Sequence, residues 1–436
     1  MQRMLALRSI PPRLLAMGLC LTCRRHAILL FICSGLWGWA QTNEELFREY
    51  QFNFTPPGAR ANGMGGAFIG VADDATSSFA NPAGLAFLSE TALSLEYRAR
   101  RRYARTGEIV GNFNTSFEQS AVDLDRVAFF SFNFRWKSWY FGIFQYEYLD
   151  ERQERTFRSR SLSDGVERIE NRSLSLDLGG RTRGLGIARR FGRTKLGLTV
   201  NLLELEGDTR YCREGFSIDP QLTTFAYESL IRDSDRAWGL SVGVLRELNA
   251  KLSMGAVWRE NPRFGLTESA QEVVNDQTVL SDDFQAPFVV PDVLGVGARY
   301  KMRPGLSILL DWQQIFYSQI IEEGFVIVES LSTETKENYR IDDISEIHLG
   351  AEWLIPGATG VWALRGGYFL NPLHGVRYRG DDPAIQDRFA GTGLSDENHV
   401  TLGAGYVFRN RIELDFSANF WETGRELNVS FIWRKK

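Results

Sequence analysis

The sequence predicts an all-β fold, a 14-stranded antiparallel transmembrane β-barrel with an N-terminal hatch, or plug, inside the lumen. Three observations predict it. Fourteen segments from residue 89 onward alternate apolar with polar residues, the connections between them alternate short with long except for a short last outer one around Gly424, and a glycine-rich stretch without alternation precedes the first of them. Alternation at period 2 turns one face of each strand to lipid and the other to a lumen. No later segment approaches 18 uninterrupted apolar residues, so a hydropathy scan would miss the membrane altogether.

Residues 1–40 read as a secretory signal. Arg3, Arg8, Arg13, Arg24 and Arg25 stand without an acid, the apolar run Ala27 to Trp37 follows, and the small residues Gly38 and Ala40 precede the polar Gln41-Thr42-Asn43-Glu44. Cleavage is expected after Ala40, and a start at Met17 would give the same mature chain. The apolar run is too short for an anchor, which needs about 20 residues. Cys20, Cys23 and Cys33 leave with the leader, so Cys212 has no partner for an intramolecular disulfide. Removing five arginines leaves 45 basic against 54 acidic residues, a net charge near −9, which argues against nucleic acid as a partner.

Residues 41–88 carry Pro57-Gly58-Ala59-Arg60-Ala61-Asn62-Gly63-Met64-Gly65-Gly66-Ala67-Phe68, then Val71-Ala72-Asp73-Asp74-Ala75, then Asn81-Pro82-Ala83-Gly84-Leu85. Glycine permits close backbone packing, Asn-Pro favours a turn, and Asp73-Asp74 is placed to cap a helix over Ala75 to Phe79. Met64, Phe68, Ile69, Val71, Phe79, Leu85 and Phe87 are apolar beyond what a solvated linker needs, and the segment is expected to fold up inside the lumen. No Lys-Ser/Thr follows Gly63-Met64-Gly65-Gly66, so it is not a phosphate loop, and Asp73-Asp74 lacks the further acids of a calcium loop. Neither a metal nor a cofactor is expected.

Residues 89–436 form the barrel. Its first segments are Leu93 to Tyr97, Ala128 to Trp136, Trp139 to Tyr148, Leu174 to Ile187, Leu196 to Leu202, Trp238 to Val244 and Leu252 to Trp258. Leu294 to Met302, Leu306 to Trp312, Ile347 to Trp353, Trp362 to Leu370, Val400 to Phe408, Ile412 to Phe420 and Leu427 to Trp433 complete them. Tryptophans near segment ends, such as Trp136, Trp139, Trp353 and Trp362, suit interfacial belts. Short turns fall at Lys137-Ser138, Gly192 to Thr194, Asn249-Ala250, Arg303 to Gly305, Pro356 to Gly360 and Asn410-Arg411. Long loops are expected at 151–172, 209–234, 263–290, 318–344 and 371–397. Short periplasmic turns and long outer loops place both termini on the periplasmic side of a cell outer membrane. The closing Phe431-Ile432-Trp433 resembles the C-terminal aromatic signal read by barrel-assembly machinery, which is an expected partner together with outer-membrane lipid and lipopolysaccharide.

The Gly-Met-Gly-Gly-Ala-Phe, Ala-Asp-Asp-Ala and Asn81-Pro82-Ala83 series resembles the N-terminal hatch of the FadL-type outer-membrane transporters of long-chain fatty acids and other hydrophobic compounds. Val290-Pro291-Asp292-Val293 to Asp311-Trp312 and Arg365-Gly366-Gly367-Tyr368 resemble later motifs of that family. The resemblance implies a 14-stranded barrel, passive uptake of a hydrophobic small molecule, and lateral exit beside a kinked third strand once the hatch shifts. Asn81, Pro82 and Ala83, which in the family lie against the wall opening, are then the gating candidates with Gly63, Gly65 and Gly66. Gly142, in the imperfectly alternating third segment, is the candidate kink.

A lumen for an amphipathic acid needs an apolar pocket and one or two cations. Arg259, Arg299, Arg365 and Arg409 fall on inward positions, with Arg365 favoured for ligand contact; pairing with inward Asp311, Glu346, Glu352, Glu413 and Asp415 as lumen packing is the competing reading. Enzymatic activity is not expected, since histidine is scarce and His374 with Asp381 and Asp382 is the one acid-base constellation in the loops. The rival reading is a barrel component of protein secretion, of the type 9 shuttle kind, whose members share the glycine-rich start.

Overall fold

The computed structural model describes residues 52–106, 118–163, 166–218, 223–324, 335–381 and 396–435; the expected leader lies outside these. Strands β1 (Thr91–Thr106), β2 (Glu118–Trp136), β3 (Trp139–Ser163), β4 (Val166–Phe191), β5 (Thr194–Ile218), β6 (Thr223–Glu247) and β7 (Leu252–Glu260) run up and down. After a hairpin of β8 (Arg263–Val274) and β9 (Gln277–Val289), the wall continues with β10 (Val293–Arg303) and β11 (Leu306–Ile315). Beyond the short β12 (Tyr339–Arg340) come β13 (Ile344–Pro356) and β14 (Gly360–Asn371). The short β15 (Arg377–Tyr378) then precedes β16 (Glu397–Phe408), β17 (Ile412–Trp421) and β18 (Gly424–Lys435).

Fourteen of these close into an antiparallel barrel, with β5 paired to β6 and the first wall strand β1 paired to the last, β18, from Thr91↔Lys435 to Arg102↔Gly424. Side chains alternate as a membrane barrel requires. On β5, Leu196, Leu198 and Val200 face outward while Lys195, Gly197 and Thr199 face in. Leu185, Leu349, Leu402, Phe416 and Leu427 continue the exposed apolar belt on other strands. Leaving such a belt in water would be costly, and lipid is its natural solvent.

The 14-strand expectation matches the wall, but three expected outer loops are β-structure. The β3–β4 ladder extends to Ser163↔Val166 and the β5–β6 ladder to Ser217↔Thr223, so the described residues of 151–172 and 209–234 are strand extensions. Residues 263–290 contain the β8–β9 hairpin, turned at Asn275-Asp276 with φ of 47° and 63° and paired with β6 through Phe225 to Ile231. These ladders escape a search for apolar outer faces because the outward positions become charged beyond the belt, as at Glu206 and Asp208. Their inward positions stay apolar, with Leu205, Ile231, Phe264, Leu266 and Phe288 buried in one cluster.

Candidate functional site: the hatch and the lumen wall

Residues 59–88 pack against inward faces of strands on opposite sides of the barrel. Helix α1 (Ala59–Gly63) touches β14, β16, β17 and β18, and the 3-10 turn Pro82–Phe87 touches β3, β4, β5 and β6. Between them stands α2 (Ser77–Ala80), whose N-cap is Thr76 and not the expected Asp73-Asp74; Asp74 Oδ1 accepts from Thr76 N at 2.8 Å and Thr76 Oγ1 at 2.6 Å. Burial pushes the Asp74 carboxyl above its ordinary pKa, although the neighbouring Arg60 guanidinium pulls the other way.

The wall accommodates this segment at a single level in two ways. Many inward positions there are glycine, on β3 (Gly142), β5 (Gly197), β6 (Gly243), β7 (Gly255), β13 (Gly350) and β14 (Gly367) among others. A methyl group at Gly197 would lie 2.2 Å from the Pro82 carbonyl carbon, one at Gly243 2.1 Å from Asn81 Oδ1, and one at Gly367 2.2 Å from Gly65 N. The hatch touches the wall backbone to backbone. Elsewhere on the ring the inward residue is polar and holds the hatch. Asp311 Oδ2 accepts from Phe68 N at 2.6 Å and Ile69 N at 2.7 Å, Asn133 Nδ2 donates to Ala75 O at 2.9 Å, and Thr401 Oγ1 accepts from Gly65 N at 2.9 Å. Gly65 and Gly66 have φ of 64° and 77°, a region open to glycine without strain, and Gly63 lies against Gly403.

Asn81 is fully buried, and its Nδ2 donates to Ile69 O at 3.1 Å, Val244 O at 3.2 Å and Ala256 O at 3.4 Å. With Pro82 and Ala83 against Gly197, the Asn-Pro-Ala sequence therefore clamps the hatch to β5, β6 and β7. It does not face β3, where Ser78 and Leu85 oppose Gly142.

Gly142 is not the irregular point of the third strand. Its ladder positions, Asn133 on β2 and Gly186 on β4, are regular, and its missing side chain clears Ser78, whose Oγ would lie 2.2 Å from a Cβ there. The register shift falls between Glu147 and Leu149 instead. At the same height the β2–β3 ladder, which starts at Trp136↔Trp139, ends at Phe129↔Tyr146. Above that point β2 continues with β1 and β3 with β4, but the two are not paired with each other among the described residues. Side chains span the seam. Arg126 on β2 pairs with Glu147 at 2.6 Å and Asp150 at 2.9 Å on β3, while on β1 Arg102 pairs with Glu151 at 3.3 Å and Arg100 donates to Asp150 O at 2.6 Å.

Inside the seam lies the large buried apolar cluster, rich in rings: Phe129, Phe144, Tyr146, Tyr148, Phe288 and Tyr317 with Leu178, Leu205 and Leu266. The chain's own N-terminal segment occupies it. Phe52 stacks on Phe54 at 5.7 Å and meets Phe288 at 5.9 Å, Asn53 N donates to Tyr148 O at 2.8 Å, and Tyr146 OH donates to Thr55 O at 2.8 Å.

The four candidate cations separate. Arg365, favoured from sequence for ligand contact, is committed to the wall: Nε donates to Glu352 at 2.9 Å and Nη1 to Asp415 at 2.6 Å, so lumen packing describes it. Arg299 pairs with Asp73 of the hatch at 3.2 Å. Arg409 is exposed in the β16–β17 turn with φ 48°, because the turn begins one residue before the alternation suggests. Arg259 alone lies beside the apolar cluster with donors to spare. It is 3% exposed, Nη2 donates to Ala80 O at 2.9 Å, and the guanidinium lies 4.9 Å from the centre of the Phe79 ring. Its Nε and Nη1 have no hydrogen-bond partner among the described residues. His374, of the loop constellation, stacks on Tyr317 at 4.2 Å and hydrogen-bonds Pro372 O through Nδ1 at 2.8 Å; Asp382 lies outside the described residues. Burial pushes the His374 imidazole below its ordinary pKa.

An antiparallel barrel closed over its own N-terminal segment, with an apolar belt outside and an apolar cluster within, defines the class: a plugged membrane β-barrel. More particularly, the chain has the fold of the FadL-type transporters. A FadL homologue of Pseudomonas aeruginosa superposes with a TM-score of 0.59 at 11% identity, over 88% of this chain and 99% of that one. The toluene transporter TodX of Pseudomonas putida gives 0.56 at 13% identity, and the toluene transporter TbuX of Ralstonia pickettii 0.51 at 16%, each over the same shares of the two chains. No family model matches the sequence, and no curated protein matches it. At such identities the likeness is one of fold.

The wall glycines, the Arg126 seam and the Phe52-Phe54 insertion were missed in the sequence. Only the glycines leave a signal there, as glycines at inward parity on several wall strands, Gly142, Gly197, Gly255 and Gly350 among them.

Proposed function

We propose that the protein carries hydrophobic molecules passively across an outer membrane, with long-chain fatty acids or similar amphipathic acids as its ligands. The observation that supports this reading best is the interrupted β2–β3 ladder beside a buried apolar cluster. A paired barrel wall leaves no way out for an apolar molecule except through water, whereas an unpaired seam held by side chains gives access from the cluster to lipid. In this reading a ligand enters the cluster from the long-loop end, displaces Phe52 and Phe54, and leaves sideways between β2 and β3. The hatch, residues 41–88, keeps the lumen closed to ions, with Asn81, Pro82 and Ala83 as its clamp and both termini in the periplasm.

Arg259 supports an acid over a neutral hydrocarbon. A buried guanidinium with unfilled donors is costly, and a carboxylate supplies the two acceptors it lacks. Since the same side chain holds Ala80 O, one residue before Asn81, a carboxylate drawing it away loosens the clamp.

The test is uptake. Expression in cells lacking their own long-chain fatty acid porter should restore entry of oleate, and organic extracts of the purified protein should contain bound amphiphiles. Restored toluene entry without oleate would replace the ligand class. Neither activity, with a secreted cargo protein copurifying, would favour the secretion role.

A further inference from the structure

The short-turn end of the barrel carries a charge pattern unlike the rest of the chain. Its connections, residues 137–138, 192–193, 248–251, 304–305, 357–359 and 409–411, contain no acidic residue, although acids outnumber bases 54 to 50 overall. Basic residues occupy or flank all of them but 357–359.

Four cations in or within three residues of these connections sit on aromatic rings. Lys137 Nζ lies 5.0 Å from the centre of a Trp136 ring, Arg189 4.9 Å from Trp139 and 5.3 Å from Phe191, Arg303 5.9 Å from Trp353, and Arg409 5.0 Å from Phe408. Trp136, Phe191 and Trp353 are 58%, 52% and 44% exposed, so the rings mark the border of the apolar belt. None of the four cations has an acidic partner among the described residues, whereas Arg190 and Lys195, on the lumen side of the same turn, both meet Glu247. A long cationic side chain laid along an interfacial ring holds its charge at headgroup depth.

We propose that this belt binds the phosphate groups of anionic lipids in the leaflet at the short-turn end. The arrangement favours lipid over a soluble acidic protein. The pairs stand at the β2–β3, β4–β5, β10–β11 and β16–β17 turns, spread around the circumference at the membrane border, while a protein partner docking end-on needs a contiguous patch. Each basic residue near an anionic surface is worth about a fivefold preference. The belt thereby fixes the depth of the barrel, and with it the height at which the β2–β3 seam meets lipid.

The experiment reconstitutes the full mature protein in vesicles of equal phosphatidylglycerol and phosphatidylcholine, then counts lipids retained after gentle extraction by native mass spectrometry. The wild type should retain phosphatidylglycerol several-fold over its share, less so as sodium chloride is raised. The combined variant K137Q/R189Q/R303Q/R409Q should retain the two lipids equally, while R210Q/R232Q/R236Q/R263Q, with as many charges removed from the far end, should behave as wild type. Should the first variant fail to insert, R189K/R303K/R409K keeps the charges and should keep the enrichment. Equal retention by the wild type, enrichment indifferent to salt, or enrichment surviving in the first variant overturns the proposal. So does polyglutamate bound by the detergent-solubilised wild type without any lipid preference, which would assign the belt to an acidic protein.

Discussion

Two seams of the wall, β1–β18 and β2–β3, stand on either side of the β1–β2 pair and are built differently. The β1–β18 ladder runs unbroken from Thr91↔Lys435 to Arg102↔Gly424, so backbone holds it at every height. The β2–β3 ladder stops at Phe129↔Tyr146, and Arg126 with Glu147 and Asp150 holds what remains. Both seams have cations on the lumen side, with Arg98 paired to Glu96 at 2.9 Å next to β18, so charge does not separate them. What separates them is where the backbone finds its partner. A ladder opens only by losing many hydrogen bonds together, whereas a side-chain seam opens by rotamer changes that leave the strands' other ladders intact.

The largest expected effect comes from closing the weaker seam covalently. In a Cys212→Ser background, cysteines at Arg126 and Glu147 joined by a short cleavable thiol reagent should reduce fatty acid uptake to background, and cleavage should restore it. Cysteines at Ala99 and Leu427, which face each other across β1–β18, should leave uptake unchanged when joined. Equal losses at both seams would sink the lateral route.

Next in size is Arg259→Gln. Hydrogen bonds to charged groups contribute about 1.5–3 kcal/mol, so affinity for a long-chain carboxylate should fall at least about tenfold. Affinity for the corresponding alcohol should stay level, as titration of the purified protein with both would show. A parallel fall for the alcohol would mean that Arg259 supports packing alone.

A smaller effect is expected at the seam itself. Arg126→Gln removes both ion pairs at once, and partly exposed pairs of this kind contribute little individually, about 0–1 kcal/mol. Uptake should rise two- to threefold and lose most of its dependence on ionic strength. Uptake unchanged in rate and still salt-dependent would place the resistance elsewhere, in the hatch or in the Phe52-Phe54 insertion.

The same contrast explains what could be read from sequence. Segments such as Leu196 to Leu202 and Ile412 to Phe420 could be placed because lipid outside and hatch or lumen inside impose opposite chemistry on successive residues. The hatch residues Gly63, Gly65, Gly66 and Asn81 were visible because close backbone contact and a buried turn restrict which residues fit. The interrupted ladder was not, since pairing is decided between strands; its one local trace is the run Val127-Ala128-Phe129-Phe130, where alternation breaks at the register shift opposite Glu96 and Tyr97. Arg365 and Arg259 look alike in sequence, both cations at inward positions of wall strands. The acids facing them decide their roles: Glu352 and Asp415 meet Arg365, while Arg259 meets Ala80 O and the Phe79 ring and is in no ion pair among the described residues.

The adjacent glycines of β14 make the last and finest test, because they face opposite sides of one wall. Gly367 points inward, where a methyl group would lie 2.2 Å from Gly65 N and 2.3 Å from the Met64 carbonyl carbon. Neither obstacle is a side chain that can swing aside. Gly366 points outward, and a methyl group there would find Thr401 O no nearer than 3.9 Å. If the hatch is seated on the wall by backbone contact, Gly367→Ala must lift it or strain the strand, at the roughly 1–3 kcal/mol typical of overpacking. Urea unfolding in detergent should show that loss, and planar-bilayer recordings should show an ion leak from a lifted hatch. Gly366→Ala should stay within about 0.5 kcal/mol of wild type and remain tight, as substitutions on an open surface do. A leak of equal size in both would show that strand flexibility, and not the fit of the hatch, keeps the lumen closed.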